Sequence, residues 1–539
     1  MSFIDCDYLV IGGGTAGCVV AARLSENPDN RVVLLEAGEP DSNPLIAVPG
    51  ALPITGTAGR FNWSSYTEAE PEMDGRKLFM SQGRVLGGSS SINGMVYTRG
   101  QPLDYDQWRD LGAIGWGFED VLPLFRKSED NERGASRWHG VGGPMAVSRG
   151  KSELPICDEF FAAASAAGFP IAEDFNSDQQ EGFGYYDTTV GRGRRASTAA
   201  AFIRPARRRK NLLVITSALA QRLIVTGGRA RGCEYLQHGS VREVRASREI
   251  VVCNGAIRSP QLLMLSGIGP AAQLRPLGIG VVHDMPGVGA NLQNHVACKL
   301  QYTVNKPITG YSYLNPARAL RTGLEYVLTR GGYLGHSPTP MGGFLRTAHA
   351  TNAAPDVQLF LNPALVGKLD QGLWNLLPKE HGFSSFVNQG RPYSRGEIRL
   401  ASTDASDQPR IIGNYFSDPR DIEVLADGIE MMREAVMGGR LRPLVEREVL
   451  PGEAVRDRAG LKTFIRQNAG NHFHVAGTCR MGEDAEAVVD SRLRVRGLDG
   501  LRVADASIMP TLMNGNTAAP IVMIGEKAAE MILADQARH

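Results

Sequence analysis

The sequence predicts an α/β chain, α+β overall. A nucleotide-binding βαβ unit opens it, and a second, antiparallel sheet flanked by helices follows. Three observations carry this reading. Tyr8-Leu-Val-Ile11 is an apolar run of strand length, and Gly12-Gly-Gly14-Thr-Ala-Gly17 follows it at once. After a helical stretch through Leu24, Arg31-Val-Val-Leu-Leu35 forms a second buried strand that ends on Glu36. From about residue 300 to 460 strands and helices mix without the βαβ rhythm, as expected of an antiparallel sheet packed on helices.

The opening unit has a direct chemical reading. Gly12, Gly14 and Gly17 let the backbone turn sharply and approach a pyrophosphate, whose charge sits on the positive end of the following helix at Thr15 and Ala16. Glu36 lies where a carboxylate accepts hydrogen bonds from a ribose diol, with Ala37 beside it.

Other elements follow in order. Residues 41–80 are rich in Pro, Gly and polar groups and read as a long functional loop. Gly83-Arg-Val-Leu-Gly-Gly-Ser-Ser-Ser-Ile-Asn-Gly-Met95 is a second glycine-rich segment, in which the flat backbone of Gly87 and Gly88 suits close approach to a ligand. Helices are predicted over 104–127, 154–167, 315–330 and 419–437. Strands are predicted at 212–216, 220–225, 233–237, 249–253, 356–361, 396–401 and 501–505. In Ser259-Pro-Gln-Leu-Leu-Met-Leu-Ser-Gly267, Ser259 reads as an N-cap, Pro260 as a first helical residue and Gly267 as a stop. At the tail, Ile521, Ile524, Ala528 and Ile532 repeat at helical spacing behind Pro520.

Bulk properties bound the function. A chain of 539 residues is too long for one core, so two or more domains are expected. A net charge of +1 gives no global field toward nucleic acid, membranes or acidic substrates, and the basic run 204–210 reads as a helix end or loop before a strand. Seven scattered cysteines form no C-x-x-C pair, so no metal site is expected and a reducing, cytoplasmic setting fits. The first residues lack the basic start and apolar run of a signal peptide, and no apolar run is long enough to span a membrane.

At this point the chain resembles the glucose–methanol–choline (GMC) oxidoreductases, and within them the bacterial alcohol and choline dehydrogenase-like enzymes. The resemblance rests on the glycine unit, the 83–94 segment, Gly255-to-Gly269 and the tail from His472 to Lys527. It implies a Rossmann-like FAD-binding domain (1–155, 197–300 and 465–539) and a discontinuous substrate domain (156–196 and 301–464). It also implies that Arg84, Gly87, Gly88, Ser89, Asn93, Gly94, Met95 and Val96 border the pyrophosphate and flavin, that Ala220 meets the adenine, and that Asp505, Ala506 and Thr517 lie along the ribityl, phosphate and flavin. Ile92 stands where covalently flavinylated relatives carry His, which implies non-covalent FAD.

His472-Phe-His474-Val-Ala-Gly-Thr478 matches the family's H-x-x-G-T segment and places His474 at the catalytic position. Asn516 matches the second catalytic position, and His472 is a further candidate that would share a side with His474 on a strand. A neutral imidazole takes the hydroxyl proton of an alcohol, a carboxamide holds the oxygen, and the flavin takes the hydride. The tail helix would direct its positive end at the flavin. Asn294, in Asn291-Leu-Gln-Asn-His295, replaces the family's usual Asp. The expected activity is oxidation of an alcohol to an aldehyde or ketone, with oxygen or a quinone-type carrier as acceptor. A non-redox hydroxynitrile lyase-like reaction is the alternative.

Overall fold

The computed structural model describes residues 3–57 and 59–537. The strand Phe3–Ile11 (β1) is buried from Tyr8 onward and pairs in parallel with Val32–Leu35 (β2). Between them Thr15–Leu24 (α1) buries all but two of its residues, because the glycines and small residues around Gly17 let it lie flat on the sheet. A Cβ on Gly17 would collide with the Gly12 carbonyl. Leu212–Ile215 extends the sheet beyond β2, and Ser240–Val252 continues it on the other side of β1. An antiparallel meander, Ala218–Thr226 and Arg229–Gln237, completes that flank.

Helix Gly255–Leu265 (α2) begins at Asn254, several residues before the predicted N-cap, and the prediction from Ser259 and Pro260 is corrected accordingly. Pro260 lies inside the helix, where its missing N–H leaves the Ala256 carbonyl unpaired. Thr478 Oγ1 donates to that carbonyl at 2.5 Å and so supplies the absent bond. Ser259 Oγ instead accepts from Asn254 N and donates to Asp505 Oδ2.

The second sheet is antiparallel throughout its main path: Val445–Leu450, Val296–Val304, Gly382–Gln389, Val357–Asn362, Met341–Leu345 and Gly182–Tyr185. Helices Pro155–Ala166, Arg420–Val436 and Arg458–Asn468 cover it, and Phe160, Leu425, Ile429 and Ile465 are fully buried in this core. Helix Pro316–Thr329 (α3) lies at the periphery and buries only Thr322 and Tyr326. The hairpin Glu397–Arg399 and Arg410–Ile412, expected in the second domain, sends Ile398, Leu400 and Ile411 into the first core instead. Its neighbour Gly396 bridges Leu292, which ties the hairpin to the first body.

The chain then returns. Leu501–Val503 pairs in parallel with Ser240–Val252 in the first sheet, and Ala518–Gln536 (α4) packs along α1.

Candidate active site

The cofactor region is an open crevice at the C-terminal ends of β1 and β2, lined among others by Gly12, Gly14, Glu36, Ala37, Gly88 and Ala220. Sequence-predicted residues from four separate segments therefore meet in one place. Gly12 (φ +100°) and Gly87 (φ +90°) occupy conformations that strain any side chain, and a Cβ on Gly88 would sit 2.7 Å from Gly14 Cα. Two glycine loops thus face each other at backbone contact.

The electrostatics suit an anionic dinucleotide. Helix α1 starts with no side-chain cap and no acid in its first turn, so its orphan N–H groups and positive end stay available. Helix α4 starts in the same way, with Thr517 at its cap position. Glu36 is buried, and burial pushes its carboxyl up to about 7 against hydrogen bonds from Gly13 N (2.8 Å) and Gly38 N (2.7 Å).

Several predicted residues serve the frame of the crevice. Asp505 spends its oxygens on Gly255 N, Ser259 Oγ and Ser507 N, locking α2 to the turn that carries Ala506. Ser89 Oγ accepts from Gly83 N. Arg84 lies over the Trp63 ring at 4.7 Å, with Arg258 at 4.0 Å from the same ring. Val96 is buried, Met95 turns at φ +62°, and the Gly94 carbonyl accepts from Ser337.

Arg195, which the sequence did not single out, cinches this loop. Its guanidinium donates to Asn93 Oδ1 (2.8 Å), Asn93 O (2.7 Å) and Ile46 O (3.0 Å). It has no carboxylate partner among the described residues, burial lowers it to about 9, and its Nη2 is left unpaired. A buried cation without a carboxylate partner, bonded to the second glycine loop through Asn93, fits an anionic cofactor such as FAD.

The predicted catalytic residues converge between the two sheets. His472 and His474 follow Gly470–Asn471, which pairs with Val296 and Ala297 at the edge of the second sheet, and Asn516 precedes α4. Residues 472–474 form no strand, so the alternation that would put both side chains on one side does not apply. Phe473 adopts φ +67°, and the two imidazoles meet through that kink, with ring centroids 5.4 Å apart.

His295 is the residue that sequence reasoning missed. Its Nε2 lies 3.0 Å from the Gly390 carbonyl, which can only accept, so Nε2 carries the proton and Nδ1 accepts. His474 Nδ1 lies 2.8 Å from His295 Nδ1 and must therefore donate. That leaves His474 Nε2 unprotonated, accepting from Asn516 Nδ2 at 3.2 Å. Gln358 Nε2 donates to Asn516 Oδ1 at 2.9 Å, which fixes which end of that carboxamide faces the imidazole. Asn294 Oδ1 accepts from the His474 backbone N–H, while its Nδ2 holds Tyr415 and Asn471. Asn388 Nδ2 donates to His472 Nδ1, which places the His472 proton on Nε2.

Burial dominates the protonation of all three imidazoles. It lowers His295 to about 3 and His472 to about 4, and it drives His474 well below the ordinary range with help from its two neighbours. His474 is therefore neutral near pH 7. The ring of Phe386 stacks on His472 and that of Phe360 meets it edge-on. On the same two strands the amide oxygens of Gln358, Asn362 and Asn388 are buried without partners, so the wall offers acceptors to a polar ligand.

Comparison with known proteins agrees with this geometry. Two family signatures described as GMC oxidoreductase match residues 6–297 and 392–525. Human mitochondrial choline dehydrogenase is 42% identical over 539 residues, covering 98% of this chain and 90% of that protein. Oxygen-dependent choline dehydrogenase of Brucella anthropi is 40% identical, covering 98% and 96%. Among solved structures, pyridoxine 4-oxidase from Mesorbium loti superposes with a TM-score of 0.88 at 33% identity, covering 99% of both chains. Formate oxidase of Aspergillus oryzae, whose FAD is subject to modification, superposes with a TM-score of 0.93 at 26% identity over the whole of both chains.

Proposed function

The chain belongs to the GMC oxidoreductase family, and from that footing we propose that it oxidises a primary alcohol to an aldehyde with His474 as the base. The hydrogen-bond chain Gly390–His295–His474–Asn516–Gln358 carries the proposal, because it leaves His474 Nε2 unprotonated in the site. That nitrogen takes the hydroxyl proton. The Asn516 Nδ2 group, already aimed at it, donates to the substrate oxygen as charge builds there. His472 donates through Nε2 and orients the alcohol rather than serving as a second base.

FAD, held by Gly12, Gly14, Glu36, Gly88 and Arg195 in the segments assigned to its domain above, supplies the hydride acceptor when bound. Ile92 packs with Ile46 and Val85, and no imidazole occupies its place, which supports non-covalent FAD. The choline dehydrogenases among its relatives favour oxidation over a lyase reaction, and a lyase would not bleach the flavin.

The choline dehydrogenases and the pyridoxine oxidase named above act on primary alcohols of different charge. Here the wall consists of Phe360, Phe386 and neutral amides, and none of the hydrogen bonds of His472, His474, Asn516, Gln358 or Asn388 reaches a carboxylate among the described residues. This favours a neutral aromatic primary alcohol over choline, which has only ring faces to hold its cation. All seven cysteines are free and buried, which supports a cytoplasmic protein. The terminal acceptor we assign is oxygen or a quinone-type carrier.

The test is anaerobic mixing of the purified yellow protein with choline and with pyridine and benzyl methanols, following flavin bleaching. Reduction by the aryl alcohols is expected. His474→Ala should slow it by about 10²- to 10⁴-fold while flavin absorbance stays intact. Full-speed reduction in that variant refutes the assignment.

A further inference from the structure

Helix α3 carries its apolar stripe on the solvent side. Leu320, Leu324, Val327 and Leu328, at helical spacing, are 67%, 55%, 63% and 80% exposed. A surface helix of a globular protein normally turns such a stripe inward. Trp374, in the short helix Leu373–Leu376, is 82% exposed. The two sites share a neighbour: residues 49–55 touch both Leu373–Leu376 and Tyr333–Gly335, the turn just after α3.

Cations frame this stripe. Lys306, Arg318, Arg321 and Arg330 are exposed and stand against the single acid Glu325 over residues 306–330. None of the four forms an ion pair among the described residues. Arg318 and Arg330 lie over the rings of Tyr313 and Tyr326, 4.2 Å and 5.3 Å from their centroids, with their charge still at the surface.

We propose that α3 and Trp374 form a docking face for an anionic phospholipid bilayer. A stripe of Leu and Val beside an exposed Trp, flanked by unpaired Arg, matches a helix lying in the plane of the headgroups, with aliphatic side chains below and guanidinium groups at the phosphates. The negative lipid surface complements the local excess of positive charge. No described helix is long and apolar enough to cross a membrane, so the attachment is peripheral.

The experiment uses the full chain with sedimented vesicles of phosphatidylcholine alone or mixed equally with phosphatidylglycerol. Binding to the mixed vesicles is expected, weaker in high salt, with a blue shift of tryptophan emission that Trp374→Ser diminishes. The double variant Leu324→Glu, Leu328→Glu should lose about tenfold or more in vesicle affinity while its melting temperature and flavin content stay unchanged. Absence of binding, equal binding to both vesicle types, or unchanged binding of the double variant overturns the proposal. A dimer in solution that the same substitutions dissociate also overturns it and gives the face to a second copy of the chain.

Discussion

His139 and His295 are buried and His472 and His474 half-buried, yet His139 and the trio are driven in opposite directions. Burial pulls His139 down, but its bonds to Asp174 (2.7 Å) and Glu129 more than offset this and hold it at about 9. The trio has the burial without the carboxylates, and its pKa values fall. Desolvation alone therefore does not decide what a buried imidazole becomes. A neighbouring carboxylate raises the pKa of such an imidazole, and its absence leaves the ring neutral. His139, Asp174 and Asp187 lie close enough to hold a metal, but Arg133 reaches both carboxylates, at 3.0 Å from Asp187 and 3.9 Å from Asp174, and supplies the positive charge there.

The two regions pull the stability curve in opposite directions. For the trio the folded pKa lies below the unfolded value, so its contribution is intact above about pH 6.5 and is lost as pH falls toward 4 and 3. For His139 the folded pKa is raised, so its contribution is full below about pH 6.5 and is lost as pH rises through about 9.

The contrast can be broken most severely at His295. Replacing it with Phe removes the acceptor that sets the His474 tautomer, and kcat should fall by about 10²- to 10⁴-fold. A change confined to KM, or a pH profile like that of the parent, would show that His295 only fills space. Next in size, Asn294→Asp gives the trio the carboxylate that His139 already has. The acid limb of kcat/KM against pH should then move up by about one to three units, and an unmoved limb would mean that neighbouring charge does not govern this base. Smaller still, Asp174→Asn deprives His139 of its strut. Urea titration at pH 7 should show a loss of about 1–3 kcal/mol, and the decline in stability between pH 7 and 9 should flatten.

How far the sequence revealed all this depended on the distance over which each contact acts. The opening strand, glycine turn, helix and acid were legible because each step is local and periodic. The meeting of His474 with Asn516 was legible only through motif resemblance, since no local pattern relates residues 42 positions apart. His295 was not legible as a partner. It lies 179 positions before His474, and the pairings of Gln293 with Ala476 and of Val296–Ala297 with Gly470–Asn471 bring the two segments together. The start of α2 was misread because Ser259-Pro260 has the local signature of a helix beginning. A hydroxyl from Thr478, more than two hundred residues later, makes a mid-helix proline tolerable. The side shared by His472 and His474 was expected from strand alternation and was reached through a left-handed phenylalanine instead.

The last strand of the nucleotide sheet, Leu501–Val503, lies against Ser240–Val252, and α4 closes over α1. A growing polypeptide therefore leaves the ribosome with its first-made domain still open, missing an edge and a covering helix until nearly the final codons are read. Coenzyme capture belongs to the end of biosynthesis, and a nascent chain stalled before residue 501 should not turn yellow.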